Sequence, residues 1–438
     1  MSQYKVIHDS IHGSIRVDEP FLSLVATPEF ERLSHIHQLG LAYLVYPGAH
    51  HTRFEHSLGT FSIAGRMASA LHLDREERDL VSAAALLHDI GHGPYSHTLE
   101  GLVYERTGLD HMDITKRMIS TEFTYIQDRG DGPMIYDILE SAGIDPERVA
   151  ELVNSPSPGF MSSDLLSVEK KSGQAFFGDG KNYLAEIIHS PLDADQTDYL
   201  VRDAHYTGVV QGGAVDIDRI LNTMVINNGE LAIDRGGMSA VEGMLVARAL
   251  MYSSVYFHKT VRIAQHMLIK AVESLGEDVD IRGIAPMTDC ELLSFLRSQG
   301  GDAAEIVRRI TYRDLYKASY FINLEGMEPS FRESLASLTY KRRHELERRI
   351  AERSGVPLHQ IVVDIPSKVV LLSEPRYHQT NVNIIVDGRI RKLGNISSMA
   401  KALKLRPIQQ WGVMVATPKE HVDEVRTASE RVFSELIP

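Results

Sequence analysis

His88-Asp89 closes an apolar helical run in which Val81, Ala84, Ala85 and Leu87 form the frame, and Ile90-Gly91-His92-Gly93-Pro94-Tyr95-Ser96-His97 follows it. This constrains the fold most, because it places two ionisable side chains at the end of a helix that has to be buried. A buried carboxylate needs a cation or several donors. Other helices must therefore pack around this one and bring a charge partner. Imidazole with carboxylate suits Fe, Mn or Zn, and Cys290, the only cysteine, rules out a thiolate cage or an intrachain disulfide. The dipeptide alone carries little: His8-Asp9 repeats it in a short extended segment, and a helix-end histidine beside a solvated aspartate is the ordinary outcome.

Histidine distribution adds weight. Twelve of the 20 histidines lie in residues 1–111, about a quarter of the chain. Arg53-Phe54-Glu55-His56 precedes the pair, and helical spacing turns Arg53 and His56 the same way. A guanidinium beside a metal-binding imidazole suits phosphate. Downstream, Asp195, Tyr199 and Asp203 form one helical stripe. Asp198 and Arg202 read as its solvated ion pair, and an ordinary acidic face is the plainer reading of all five. His92 lies between Gly91 and Gly93, where backbone can approach a ligand closely. His92, His97 and His111 suit phosphate donation or general acid catalysis, against the usual fate of a satisfied core histidine.

Residues 4–18 are expected to be extended. Thr27 caps a helix with Pro28 in its first turn. Helices are predicted at about 54–73, 75–90 (capped by Asp74 and stopped at Gly91) and 191–206. Residues 236–275 read as one long helix or two with a kink. Residues 127–133 and 172–182 are the expected mobile loops. Strands follow at 360–365, 382–388 and 411–416, with helices at 396–404 and 418–435. The expectation is a mainly α body over residues 1–355 with a small C-terminal α+β region over 356–438. With 59 acidic against 46 basic residues the net charge is −13, which opposes broad nucleic-acid or anionic-membrane binding. No apolar run approaches the ~18 residues of a membrane span and the N-terminus lacks a signal-peptide apolar region, so a cytoplasmic location is expected.

The order Arg-Phe-x-His, then His-Asp-x-Gly-His-Gly-Pro-aromatic-Ser-His, then a distant Asp-x-x-Asp-Tyr resembles the HD-domain phosphohydrolase superfamily. Within it the chain looks most like the deoxynucleoside triphosphate triphosphohydrolases. The likeness begins at Lys5–Gly13, passes through Gln38-Leu39-Gly40 and Phe54–Gly59, and reaches Tyr256-Phe257-His258-Lys259. It implies an HD helical bundle, with its core at about 50–206. Carried over residue by residue, it implies one divalent metal ion (Fe, Mn, Zn or Ni, or Mg with nucleotide) on His56, His88, Asp89 and Asp195. It implies His111 as the catalytic histidine, with Glu100 in the place of a supporting aspartate and His92 beside them. Arg53, His92, His97, Tyr199 and Arg248 match phosphate contacts. Gln38, Leu39, Asp203 and Tyr256 match residues around a deoxyribose.

Departures bear on substrate and regulation. Gln196 replaces a lysine that holds the triphosphate in the animal SAM-domain enzyme, and Met112 replaces an acid. Ala26, Glu31 and Ser34 replace its guanine-nucleotide activator trio. The implied activity is dNTP hydrolysis to deoxynucleoside and triphosphate by a homo-oligomer, a dimer or tetramer, whose partner molecule is the nucleotide. Two rivals remain: an HD-type nucleotidase or phosphodiesterase, and a non-catalytic nucleotide-sensing oligomer.

Overall fold

The apolar run around Val81 is the buried axis of a helical body. The coordinates, a computed structural model, describe residues 4–126, 128–154, 180–276, 279–323, 340–365, 381–405 and 412–435. Strands β1 (Tyr4–Asp9) and β2 (Gly13–Asp18) form an antiparallel hairpin with Asp9 opposite Gly13. Then come helices α1 (Arg53–Ala70), α2 (Arg75–Leu87), α3 (Glu100–Thr107), α4 (His111–Ser120), α5 (Asn182–Ile188) and α6 (Ala194–Thr207). Both α2 and α6 pack on α1. Among the described residues, no helix is long and apolar enough to cross a membrane.

Local chemistry sets the helix starts. Thr27 accepts from the Phe30 amide, and Asp74 from the Glu77 amide at 2.9 Å. The Asp110 carboxylate caps α4 by accepting from Asp113 at 2.8 Å. Helix α6 starts three residues later than Pro191 predicts. Asp193 is its cap: one oxygen accepts from the Gln196 amide at 2.7 Å and the other from the Ser190 amide at 2.9 Å. Helix α2 likewise stops at Leu87, short of Ile90. There the Ile90 amide bonds back to the Leu87 carbonyl, and the Gly91 amide turns to Thr115 Oγ1 at 3.0 Å. The expected glycine stop is thus a tight turn carrying His88 and Asp89.

The 236–275 segment is two helices, α7 (Met238–Met251) and α8 (Lys259–Glu273). A π-helical turn over Tyr252–Tyr256 separates them, and His258 Nδ1 caps α8 by accepting from Thr260. π-Turns inside helices gather at functional sites, and this one presents Tyr256. Helix α9 (Asp289–Ser298) follows.

Strands β3 (Met224–Asn227) and β4 (Glu230–Asp234) lie within the body; β5 (Lys317–Asn323) precedes α10 (Tyr340–Ser354). Then come β6 (Val362–Asp364), β7 (Asn383–Val386), β8 (Arg389–Lys392), β9 (Gly412–Thr417) and α11 (Val422–Ser434). One antiparallel sheet is ordered β5-β9-β6 and shares a core with α10 and α11 through Ile322, Ile350, Val413, Val432 and Phe433. The other is ordered β3-β4-β7-β8, with Ile233 opposite Ile384 in parallel. The 382–388 strand is therefore half of a hairpin. Asp387 and Gly388, both at positive φ (50° and 71°), make its turn. Of the two expected mobile loops, residues 172–179 and 127 lie outside the described residues. Residues 128–133 are pinned: Arg129 donates to Glu29 at 2.9 Å and to the Gly132 carbonyl at 2.6 Å.

Candidate active site

Helices α1, α2 and α6 bring His56, His88 and Asp195 into one group whose ligand atoms lie within 4.8 Å of one another. His56 Nε2 is 3.1 Å from Asp195 Oδ1 and 3.9 Å from Asp89 Oδ2. His88 Nδ1 lies 2.8 Å from the Ala85 carbonyl, which only accepts, so that nitrogen carries the proton. The lone pair is then on Nε2, which is buried without a hydrogen-bond partner among the described residues, 3.3 Å from Asp89 Oδ1 and 3.9 Å from Asp195 Oδ1. A lone pair facing two carboxylates in the interior is relieved by a cation, so these residues fit a divalent metal ion of the imidazole-and-carboxylate class. Burial opposes charge on His56, yet Asp195 and Asp198 outweigh it and lift the ring to about 10. Burial likewise opposes ionisation of Asp89, but its interactions with His88, Arg53 and His92 hold its carboxyl well below the usual range. Arg53 is buried and its guanidinium donates to Asp89 Oδ2.

A second histidine group adjoins the first. The His92 ring stacks on His111, centroids 3.9 Å apart and 14° between planes, with His97 edge-on to both. Glu100 joins His111 Nδ1 to His97 Nδ1, the latter at 3.2 Å. Burial disfavours charge on His111, but Glu100 overrides it and raises the ring's pKa. His92 moves the other way, held neutral by burial and by Arg53 and His111. Two stacked imidazoles with oppositely shifted pKa values place the more basic ring, His111, beside the less basic His92. His97 is exposed at the rim. The glycines around His92 admit protein rather than ligand: a Cβ on Gly91 would run into the His111 carbonyl and Thr115, and one on Gly93 would meet the Ala285 carbonyl at 3.1 Å.

Along α6 the wall continues from Asp195 through Tyr199 to Asp203. The Tyr199 ring lies between His56 (6.4 Å) and Tyr256 (6.2 Å). Tyr256 donates to Asp203 Oδ2 at 2.7 Å, and His51 Nε2 meets the other oxygen at 2.8 Å. Burial, then Asp203, keeps the Tyr256 phenol protonated. Gln38 takes its place through its backbone N–H, which donates to the His51 carbonyl at 2.9 Å, and its side-chain Oε1 is buried without a partner among the described residues. Leu39 is half-buried beside it. Two residues carried over as phosphate contacts, or in the place of one, are turned inward. Gln196 is fully buried and its amide donates to the Ser190 carbonyl at 2.6 Å and to Asp193 at 2.8 Å. Arg248 is fully buried and donates to the Pro191 carbonyl at 2.6 Å.

Residues 53–202 match the HD domain, and residues 215–435 match the HD associated region. A protein of Methanocaldococcus jannaschii is 35% identical over 434 residues, 96% of this chain and 81% of that one. The chain belongs to the HD-domain phosphohydrolase family. Human deoxynucleoside triphosphate triphosphohydrolase SAMHD1 is 29% identical over 356 residues, 72% of this chain, and the match spans 54% of SAMHD1's length. The crystal structure of a hypothetical protein from Aquifex aeolicus superposes with a TM-score of 0.69 at 26% identity, covering 97% of this chain and 100% of that one.

The HD core holds residues that sequence reasoning missed. Asp198 and Arg202 are not a solvated pair: both are fully buried. Arg202 Nε donates to Asp198 at 2.8 Å and Nη1 to Asp9 at 2.7 Å, while Asp198 also meets His56 and His12. Asp9, from the dipeptide set aside as uninformative, is thus tied to the site. A Cβ on Gly59 would collide with Asp198 and Arg202, so that glycine lets α6 approach α1. Asp289 at the start of α9 fixes two loops, accepting from His37 Nδ1 and from the Tyr95 amide, both at 2.7 Å. Arg32 reaches the His92 carbonyl and Tyr125. The sequence did carry signals for three of them: Asp9 lies in the likeness over Lys5–Gly13, Gly59 closes that over Phe54–Gly59, and Asp198 is the second aspartate of Asp-x-x-Asp-Tyr. At the departing activator positions, Ala26 and Glu31 are exposed and Ser34 closes on the Glu31 carbonyl.

Proposed function

We propose that this chain hydrolyses deoxynucleoside triphosphates to deoxynucleoside and triphosphate, with His56, His88, Asp89 and Asp195 holding one divalent cation. Such a cation supplies Lewis acidity toward a phosphoryl oxygen. The protein's own groups do the rest. Arg53 offsets charge on the phosphate oxygens, and His92, as a neutral ring, donates a hydrogen bond to one of them. His111, whose pKa Glu100 raises, delivers its proton to the departing 5′ oxygen as a water oxygen bonds to the α-phosphorus and releases a proton to solvent, and the bond from the α-phosphorus to the 5′ oxygen breaks.

What supports the nucleotide reading is the α6 wall: Asp195 at the cation group, then Asp203 two turns on, about 12 Å along the axis. There Tyr256 and His51 hold Asp203 as an acceptor suited to a sugar hydroxyl. Tyr256 and Leu39 would crowd a 2′-hydroxyl.

One observation favours a second reading, a nucleoside monophosphate or phosphodiester: Gln196 and Arg248 bond to the Ser190–Asp193 loop. A panel of dNTPs, NTPs, dNMPs and a phosphodiester, with products separated by ion exchange, tests both. Triphosphate with deoxynucleoside is expected. Product from dNMP or diester alone would establish the second reading, and nucleotide binding without turnover would leave a sensor.

A further inference from the structure

We propose that Asp198 is a positioning residue of the metal centre, and that the N-terminal hairpin belongs to that centre through His12. The inference rests on the reading above, in which His56 is a ligand.

Asp198 is fully buried and receives four hydrogen bonds from three side chains. Oδ2 takes His56 Nδ1 at 2.8 Å and Arg202 Nε at 2.8 Å; Oδ1 takes His12 Nε2 at 2.6 Å and Arg202 Nη2 at 2.9 Å. An ionised carboxylate only accepts. His56 Nδ1 must therefore carry a proton directed away from the centre, which leaves Nε2, 3.1 Å from Asp195, as the nitrogen available to a cation. Carboxylates in this position fix the tautomer and plane of a ligating imidazole and raise its basicity.

The hairpin completes the arrangement. Asp9 Oδ1 accepts from the Ile11 and His12 amides at 2.9 and 2.7 Å, which folds the β1–β2 turn so that the His12 ring enters the interior, its side chain 5% exposed. Asp9 Oδ2 takes Arg202 Nη1, so Arg202 is clamped between the two aspartates at i−4 and on the hairpin. Two carboxylates against one guanidinium leave net negative charge behind His56, on the side away from the cation group. His12 and Asp9 touch no ligand atom. They act through Asp198, from a segment 186 residues distant in sequence from it in the case of His12.

The test uses the full chain stripped with chelator and titrated with Mn2+, reading free Mn2+ by its electron paramagnetic resonance signal, alongside the melting temperature of the stripped protein. Loss of such a partner weakens metal affinity typically 10–100-fold. Asp198→Asn and His12→Ala should each weaken Mn2+ binding by about that factor. His12→Gln, whose amide still donates to Asp198, should restore the parent affinity. If Asp198→Asn does not fold, the His12→Ala and His12→Gln pair decides. Variants that bind Mn2+ like the parent while melting lower would overturn the proposal and leave a purely structural network. A parent that binds no Mn2+, Fe2+ or Zn2+ would overturn the metal reading itself, and the proposal with it.

Discussion

Glu186 on α5 should make this protein lose stability as pH rises toward neutrality, and Glu186→Gln should remove the loss. The carboxyl is 8% exposed and its Oε2 accepts from the Leu231 amide at 2.5 Å. Burial is the main cause that pushes its pKa up, from 4.5 to about 7, with Glu230 adding to it and the Leu231 bond and Lys392 opposing. The folded chain therefore holds this proton more tightly than the unfolded chain does. Below about pH 4.5 both states are protonated and nothing is lost. Between there and about pH 7 stability falls by about 1.4 kcal/mol per pH unit, and above pH 7 the full penalty of about 3 kcal/mol is present. An unfolding entropy of about 2.1 cal/mol/K per residue makes this roughly 3 °C in Tm for a chain of this length. Glutamine keeps an acceptor for Leu231 and has no proton to lose. Scanning calorimetry at pH 5 and pH 8 should show variant and parent melting together at pH 5 and the variant higher at pH 8. An equal shift at both pH values, or a variant that melts lower at pH 8, would refute the argument, since Glu186 would then be held as a carboxylate.

His111→Ala should lower kcat by about 10²–10⁴-fold while metal content and melting temperature hold; normal turnover with a lower melting point would make His111 structural. Glu100 raises the His111 pKa, and a general acid is lost as pH rises through its pKa, so Glu100→Gln should move the alkaline limb of the kcat profile toward lower pH. Asp195→Ala should lose metal and activity together, and full occupancy by elemental analysis would remove Asp195 from the ligand set. Gly59→Ala should cost about 1–3 kcal/mol or more by driving Asp198 and Arg202 off α1, seen in denaturant melts. A dimer or tetramer is expected by light scattering at micromolar concentration; a fully active monomer would contradict it.

By itself the sequence determined the helical body, and it named the candidate ligand types and the order in which they arrive. Helical period and caps are local: Asp74 and Asp110 bond amides three residues away, and the His-Asp pair ends its helix whatever surrounds it. The C-terminal strands were legible for the same reason, as short β-branched runs, but not their partners. Tertiary structure decided what faces each side chain. Period says that Asp198 and Arg202 share a side of α6, yet only packing against α1 and the hairpin makes that side buried rather than solvated. Asp9 and Arg202 lie 193 residues apart, and no spacing rule relates them. Gln196 was read as a departure in a phosphate site, whereas the fold turns its amide into the start of its own helix. Which nitrogen of His56 and His88 carries the proton was likewise invisible, because it depends on an acceptor, Asp198 or the Ala85 carbonyl, that the fold places within hydrogen-bond reach.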